Sequence, residues 1–351
     1  MTKRALLIGL LVLLSGGAPA PNARAKGLEM GARNGVTVSG SPHRYVAINT
    51  HATPELTVVA RTDRRGGRVD RWWQLDGDYG VPAVAYDGTG GGLSADGKTL
   101  VLSRFAFDSP VNPPKATRLA ILDIDLRPQR HLQAGQRRPP SVFSSIELRG
   151  HYAFDAISPD GSTIYLIHYL SSPAGFYLTH YEVRAYDVKS KRLLPEPVVD
   201  PDEPEERMEG LPLARAMSPD GRWAYTLYDG NGEEPFIHAL DTVAGRAVCV
   251  DLPQLTDLRR RFYYLLQLQM REGGRQIVLL RRVPGPKPTR ALLSVDTGSF
   301  AVQRPAAVAT ASSGIGPWPP IVALSAVALL LLGWVGRRHR RADGDGPATG
   351  R

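Results

Sequence analysis

The stretch ISPDGSTIYLI (157–167) is written again as MSPDGRWAYTL (217–227) and, with alanine at the proline position, as LSADGKTLVLS (93–103). Each copy opens on an apolar residue, passes through Ser-x-Asp-Gly, and continues into β-branched and aromatic residues. The turn has a local cause. Serine bonds to nearby backbone, proline presets φ at the first corner, aspartate suits the second, and glycine supplies the positive φ at which a hairpin reverses. The residues after the turn have strand chemistry. Asp96, Gly97, Asp160, Gly161, Asp220 and Gly221 are therefore read as structural residues that join two antiparallel strands. Two weaker copies keep the outline, VSGSPHRYVAIN (38–49) and QMREGGRQIVLL (269–280). Self-similarity at a spacing of about 60 residues signals a repeat architecture rather than an ordinary domain.

Each copy leads to a third strand that ends near an aspartate. These strands are RLAILDID to Asp125, EVRAYDV around Asp187, IHALDT around Asp241, LLSVDTG around Asp296 and, in the first unit, LTVVARTD around Asp63. A fourth strand is expected in RHLQ (130–133), AVCVDL (247–252) and FAVQRP (300–305). Four strands per unit describe an all-β fold, a β-propeller of about five four-stranded blades, or six if a longer interval holds another. The Ser-x-Asp-Gly turn and its strand, followed by a strand of Val-x-Ala-apolar-Asp type, resemble the WD40-like and YVTN-type repeats of bacterial β-propellers. That resemblance implies radial sheets with function carried on the loops at their faces. The competing fold is a β-sandwich with fortuitous turns, and the shared register of the copies argues against it.

The net charge of +9 invites a nucleic-acid reading until its location is considered. Much of it flanks two apolar runs at the ends. Lys3 and Arg4 precede ALLIGLLVLL and a small-residue stretch, the order of a secretory signal peptide, with cleavage after Ala25 favoured over Ala20 because Pro21 would come directly after the earlier cut. IVALSAVALLLLGWVG (321–336) is succeeded at once by RRHRR. At 1.5 Å per residue it spans about 24 Å, a little short of a hydrocarbon core of about 30 Å, and the arginines would stay cytoplasmic. The expected organisation is a signal peptide at 1–25, an extracytoplasmic propeller at 26–304, a flexible linker at 305–320, one C-terminal transmembrane helix at 321–336 and a short basic cytoplasmic tail at 337–351, a single-pass plasma-membrane protein. The tail is too short and polar to fold as a signalling domain. Cys249, alternating with Val248 and Val250, reads as a small strand residue in a chain without disulfides.

Three insertions lengthen the blades: AFDSPVNPPKAT from Ala106, SSPAGFYLTH from Ser171, and the acidic VVDPDEPEERMEG from Val198. The second brings Phe176, Tyr177, His180 and the adjoining Tyr181 together as candidate partner contacts, against the plainer reading of loop packing. The acidic loop would suit Ca²⁺ or a basic partner, or serve as a solvated charge run. Asp76, Asp78 and Asp87 fall at calcium-loop places, but Val81 stands where that loop requires glycine. Trp72 and Trp73 are adjacent, so a strand turns one inward and one to the rim. RRRFYYLLQLQ (259–269) mixes basic and aromatic residues, yet Phe262, Tyr264, Leu266, Leu268 and Met270 alternate as the buried face of a strand, and no nucleic-acid partner is expected. There is no G-x-S-x-G elbow, H-E-x-x-H, P-loop or Cys/His set at metal spacing, so no catalytic residue, cofactor or metal site is assigned. The function expected is a binding or scaffolding module for an envelope protein, peptide or glycan. The alternative is a propeller-type hydrolase or oxidoreductase with its site at the central channel.

Overall fold

Apolar, β-branched segments on either side of each Ser-x-Asp-Gly turn are buried along most of their length and pair as antiparallel strands. The computed structural model describes residues 31–32, 34–49, 55–64, 68–104, 115–126, 143–170, 180–205, 208–232, 234–256, 265–282 and 289–304. The expected signal peptide, linker, transmembrane helix and tail lie outside them, as do Phe176, Tyr177, Phe262 and Tyr264. Among the described residues no helix is long and apolar enough to cross a membrane.

Among the described residues the strands form five sheets in chain order. The first holds β1 (His43–Asn49), β2 (Leu56–Asp63) and β3 (Val69–Asp76), and the second β4 (Tyr79–Gly80), β5 (Thr99–Arg104), β6 (Ala116–Asp123) and β7 (Phe143–Arg149). The third holds β8 (Tyr152–Ile157), β9 (Thr163–Tyr169), β10 (His180–Asp187) and β11 (Arg192–Val198), with the short β12 (Met208–Glu209) paired to β10. The fourth holds β13 (Pro212–Met217), β14 (Trp223–Tyr228), β15 (Phe236–Asp241) and β16 (Arg246–Asp251), and the fifth β17 (Leu266–Arg271), β18 (Gln276–Arg281), β19 (Arg290–Asp296) and β20 (Val302–Gln303). Each pairs its strands in sequential up-and-down order, the build of propeller blades.

Local details depart from expectation. The outer strand of the second sheet is β7, whereas RHLQ (130–133) lies outside the described residues. The third sheet gains β11, which carries Pro195 and Pro197 and so suits an outer edge, where a missing N–H leaves no ladder bond broken. In the first sheet the innermost strand shrinks to a single bridge between Val36 and Tyr45.

The sheets pack face to face. One buried cluster joins the first and second through Trp73, Leu75, Leu100 and Leu122, and another joins the second and third through Val101, Leu119, Ile164 and Leu166. Tyr181, Val183, Tyr228 and Leu240 fill the space between third and fourth, and Leu213, Leu227, Leu266 and Ile277 that between fourth and fifth. Each such side chain contributes about 1.5–3 kcal/mol by leaving water. As alternation predicts, Trp73 is buried and its indole Nε1–H reaches the Leu126 carbonyl at 3.3 Å, while Trp72 is half-buried.

The three strong turns share one hydrogen-bond pattern. Ser94, Ser158 and Ser218 each donate Oγ–H to the aspartate two residues on, at 2.6, 2.7 and 2.5 Å. Each also accepts the backbone N–H that opens the next strand, from Thr99, Thr163 and Trp223 at 3.0, 2.9 and 2.8 Å. Gly97, Gly161 and Gly221 have φ of 72°, 75° and 75°, the left-handed region in which glycine is unstrained. The turns also touch one another: the Asp96 N–H donates to the Pro159 carbonyl at 3.0 Å, and Gly221 lies against Ala95.

Candidate functional site

Among the described residues, polar groups converge in two places where loops leave the sheets. The first is the interior between innermost strands. Tyr79–Gly80 and Gly92–Leu93 both meet β5, and the chain between them loops away from it. This loop reaches past the third sheet to the fourth, where the N–H groups of Tyr86 and Asp87 donate to the Pro212 and Leu213 carbonyls at 2.9 and 3.0 Å. On its other side Ala32 N–H donates to Val81 O at 2.7 Å. The glycine run makes this possible, since a methyl carbon on Gly90 would fall 2.3 Å from the Gly35 carbonyl oxygen and one on Gly92 2.2 Å from that of Val101.

Beneath the loop, Arg215 of β13 pairs with Asp155 of β8, and both are only 4% exposed. Asp155 is the extra residue of a β-bulge between Phe154 and Ala156, a distortion that re-aims one side chain. The Asp87 carboxylate accepts the Arg215 backbone N–H at 3.3 Å and that of Thr89 at 2.9 Å, so it holds the loop closed. Register carries the polar line outward across the fourth sheet, because Arg215, Thr226, His238 and Cys249 stand directly opposite one another on successive strands and so share a face. His238 is 2% exposed, and burial, the largest cause, pushes its imidazole down to about 4, so it is neutral near pH 7.

The second place is the edge of the third sheet, where two insertions end. β10 begins with His180 at the close of the 171–179 insertion, and β12 closes the acidic loop. They pair with His180 opposite Glu209 and Tyr181 opposite Met208. His180 Nε2 lies 2.5 Å from Glu209 Oε1, the Tyr181 hydroxyl donates to the Glu209 carbonyl at 3.2 Å, and Asn231 Nδ2–H reaches Glu209 Oε2 at 3.3 Å. Asp202, Glu203 and Glu205 are exposed on the connecting loop.

Tyr181 differs from the sequence expectation. It is 3% exposed, with its ring among Tyr169 and Tyr228 at 6.1 and 5.7 Å, and burial holds its hydroxyl well above the usual range. The cause is strand alternation: His180 and Glu182 face outward, Tyr181 and Val183 inward. Of the named contact residues, His180 is thus half-buried at the rim and Tyr181 is core.

Asp200, Glu203 and Cys249 bring ligand atoms within 4.8 Å of one another. Asp200 is already occupied structurally, accepting the N–H groups of Asp202 and Cys249 at 3.0 and 2.8 Å. Sequence reasoning misses the polar line because its members are far apart in the chain. Its signal is a single polar residue centred in an apolar strand, in LARAM, AYTLY and FIHAL of one repeat.

No protein-family model matches the chain, and no curated protein matches it. Among solved structures the chain has distant similarities. TolB from Acinetobacter baumannii is 16% identical with a TM-score of 0.36, over 74% of this chain and 51% of that one, so the chain spans about half its length. The beta-propeller domain of Myceliophteria thermophila Cps50 (Swd1) is 9% identical with a TM-score of 0.36, over 74% and 73% of the two chains. Prolyl oligopeptidase B from Galerina marginata is 14% identical with a TM-score of 0.37, over 74% of this chain and 32% of that one.

Proposed function

We propose that the chain is a five-bladed scaffold of propeller type on the outer side of a bacterial plasma membrane, exported by the leader at 1–25 and held by the apolar run at 321–336. Its working surface is the β10–β12 edge, and its partner is an envelope protein or peptide carrying basic residues. The observation that carries this reading is the convergence of two separate insertions on one edge, joined by His180 and Glu209 and bordered by exposed Asp202, Glu203 and Glu205. Long loops held by rigid sheets are where such folds place recognition. An axial active site has less in its favour, since Arg215 and Asp155 pair with each other there and both are almost fully buried.

The test is photo-crosslinking from position 203 in the full-length protein in its own membrane, with position 243, 63% exposed at Val243 and remote in sequence, as the control. One envelope protein should be captured from position 203 only, and lost when Asp202 and Glu205 are changed to the amides. Equal capture from both positions, or none, overturns the scaffold. Protease accessibility of the 337–351 tail checks topology, and a tail cut from the outer side overturns the orientation.

A further inference from the structure

The chain that leaves β11 is laced to the outer strand of the fourth sheet. Ala247 N–H donates to the Val199 carbonyl at 3.2 Å, and Cys249 N–H to Asp200 Oδ2 at 2.8 Å. A tight turn follows, with the Glu203 N–H on the Asp200 carbonyl at 3.1 Å. It brings the Glu203 carboxylate to the Asp200 carboxylate and the Cys249 sulfur, so that one ligand atom from each lies within 4.8 Å of the others. The N–H groups that Asp200 accepts leave it able to ligate. A carboxylate oxygen keeps a second lone pair when it accepts one N–H, and ligating carboxylates are held in position by such bonds. A separate observation points to the same place. His238 of β15 stands directly opposite Cys249, so the two side chains share a face with Cβ atoms about 5 Å apart. The Cys249 N–H is directed to Asp200 rather than to β15, which makes this the narrow kind of pair, in which side chains come closest. His238 is buried and edge-on to the Tyr228 ring at 6.4 Å, and among the described residues neither of its ring nitrogens has a hydrogen-bond partner. A buried imidazole in that state calls for a ligand.

We propose that Asp200, Glu203 and Cys249 bind a divalent cation of the Zn²⁺ type, with the His238 imidazole as the fourth donor. Sulfur and imidazole select against Ca²⁺ and Mg²⁺, which take oxygen ligands, and one sulfur, one nitrogen and two oxygens suit the tetrahedral preference of Zn²⁺. Binding releases the Cys249 thiol proton to solvent, and the thiolate and two carboxylates then offset the charge of the ion. Four protein ligands close the coordination shell, as in structural zinc sites, so the ion holds the chain in place rather than activating water. It fastens the loop after β11, with its exposed Asp202 and Glu205, to β15 and β16 of the fourth sheet. The inference goes beyond the scaffold reading and stands without it.

The experiment uses the full-length protein in detergent, stripped with a chelator, and Co²⁺ as the spectroscopic probe in place of Zn²⁺. Cys249 is the single cysteine of the chain, so a sulfur-to-cobalt charge-transfer band in the near ultraviolet reports this site alone. One Co²⁺ per chain should bind with that band and with the intense visible bands of tetrahedral cobalt. Equimolar Zn²⁺ should abolish both, and a large excess of Ca²⁺ should leave them unchanged. Cys249→Ser should lose the sulfur band. Glu203→Gln, at an exposed position where folding is not at stake, and His238→Gln should each weaken Co²⁺ binding by about tenfold or more. Amide exchange at Asp202 and Glu203 should slow when Zn²⁺ is added to the native chain. The absence of a sulfur band at saturating Co²⁺, or an affinity that neither Glu203→Gln nor His238→Gln lowers, overturns the site. Displacement of Co²⁺ by Ca²⁺ overturns the choice of ion.

Discussion

His238 and the turn aspartates make the fold sensitive to acid from two directions of the same sign. The buried imidazole takes up its proton near pH 6.5 in the unfolded chain but only at about 4 in the folded one. Between those values the unfolded state binds more protons, so stability rises with pH across the window and is lost as pH falls through it, by an order of about 3 kcal/mol. Urea midpoints at pH 4.5 and 7 should therefore differ markedly, and His238→Gln should flatten the difference. Asp160 and Asp220 lie below the usual carboxylate range chiefly through the serine hydroxyl two residues back, and Asp296 through the Ser299 N–H. Their contribution is present above the unfolded carboxylate pKa near 4 and disappears as pH falls through the lower folded values. Ser218→Ala should cost about 1 kcal/mol and move Asp220 upward in an NMR titration, since the same hydroxyl serves the carboxylate and the Trp223 N–H.

Strands β8 and β13 are joined by a charged pair that has left water almost completely. Arg215→Met strands the Asp155 carboxylate and should cost about 3–5 kcal/mol in chemical denaturation, whereas Asp155→Val combined with Arg215→Met should recover most of it. Equal losses in the single and double variants would mean that shape rather than charge pairing matters there. The neighbouring strands show what a sequence conveys at this scale. The strong turns and the strands after them are legible because their chemistry is contiguous. β7 escapes the sequence reading because 127–142 separates it from β6 and no turn motif announces it. β11 escapes it because prolines argue against a strand unless its outer position is known. Nearness to an aromatic insertion suggests a surface place for Tyr181, when alternation along β10 sends it to the core. His180 and Glu209 meet only through pairing of β10 with β12, which no local pattern encodes.

Across the whole molecule, the repeat makes the all-β layout and the order of its sheets readable, but not what fills the middle. GTGGG (88–92) reads as a loose run, and only tertiary contact shows that its carbonyl neighbours leave no room for a side chain. Gly92, at φ 97°, should tolerate alanine badly, with Gly92→Ala costing about 3–4 kcal/mol and raising hydrogen exchange in the second and fourth sheets together rather than near residue 92 alone. Repeat proteins whose units touch only their neighbours can gain or lose a copy by recombination, because every junction resembles the next. Here the second sheet is bonded to the fourth over the third. Deleting or duplicating the third unit would change the gap that Tyr86 and Asp87 must cross. The brace from the second sheet to the fourth is thus matched to a single intervening sheet.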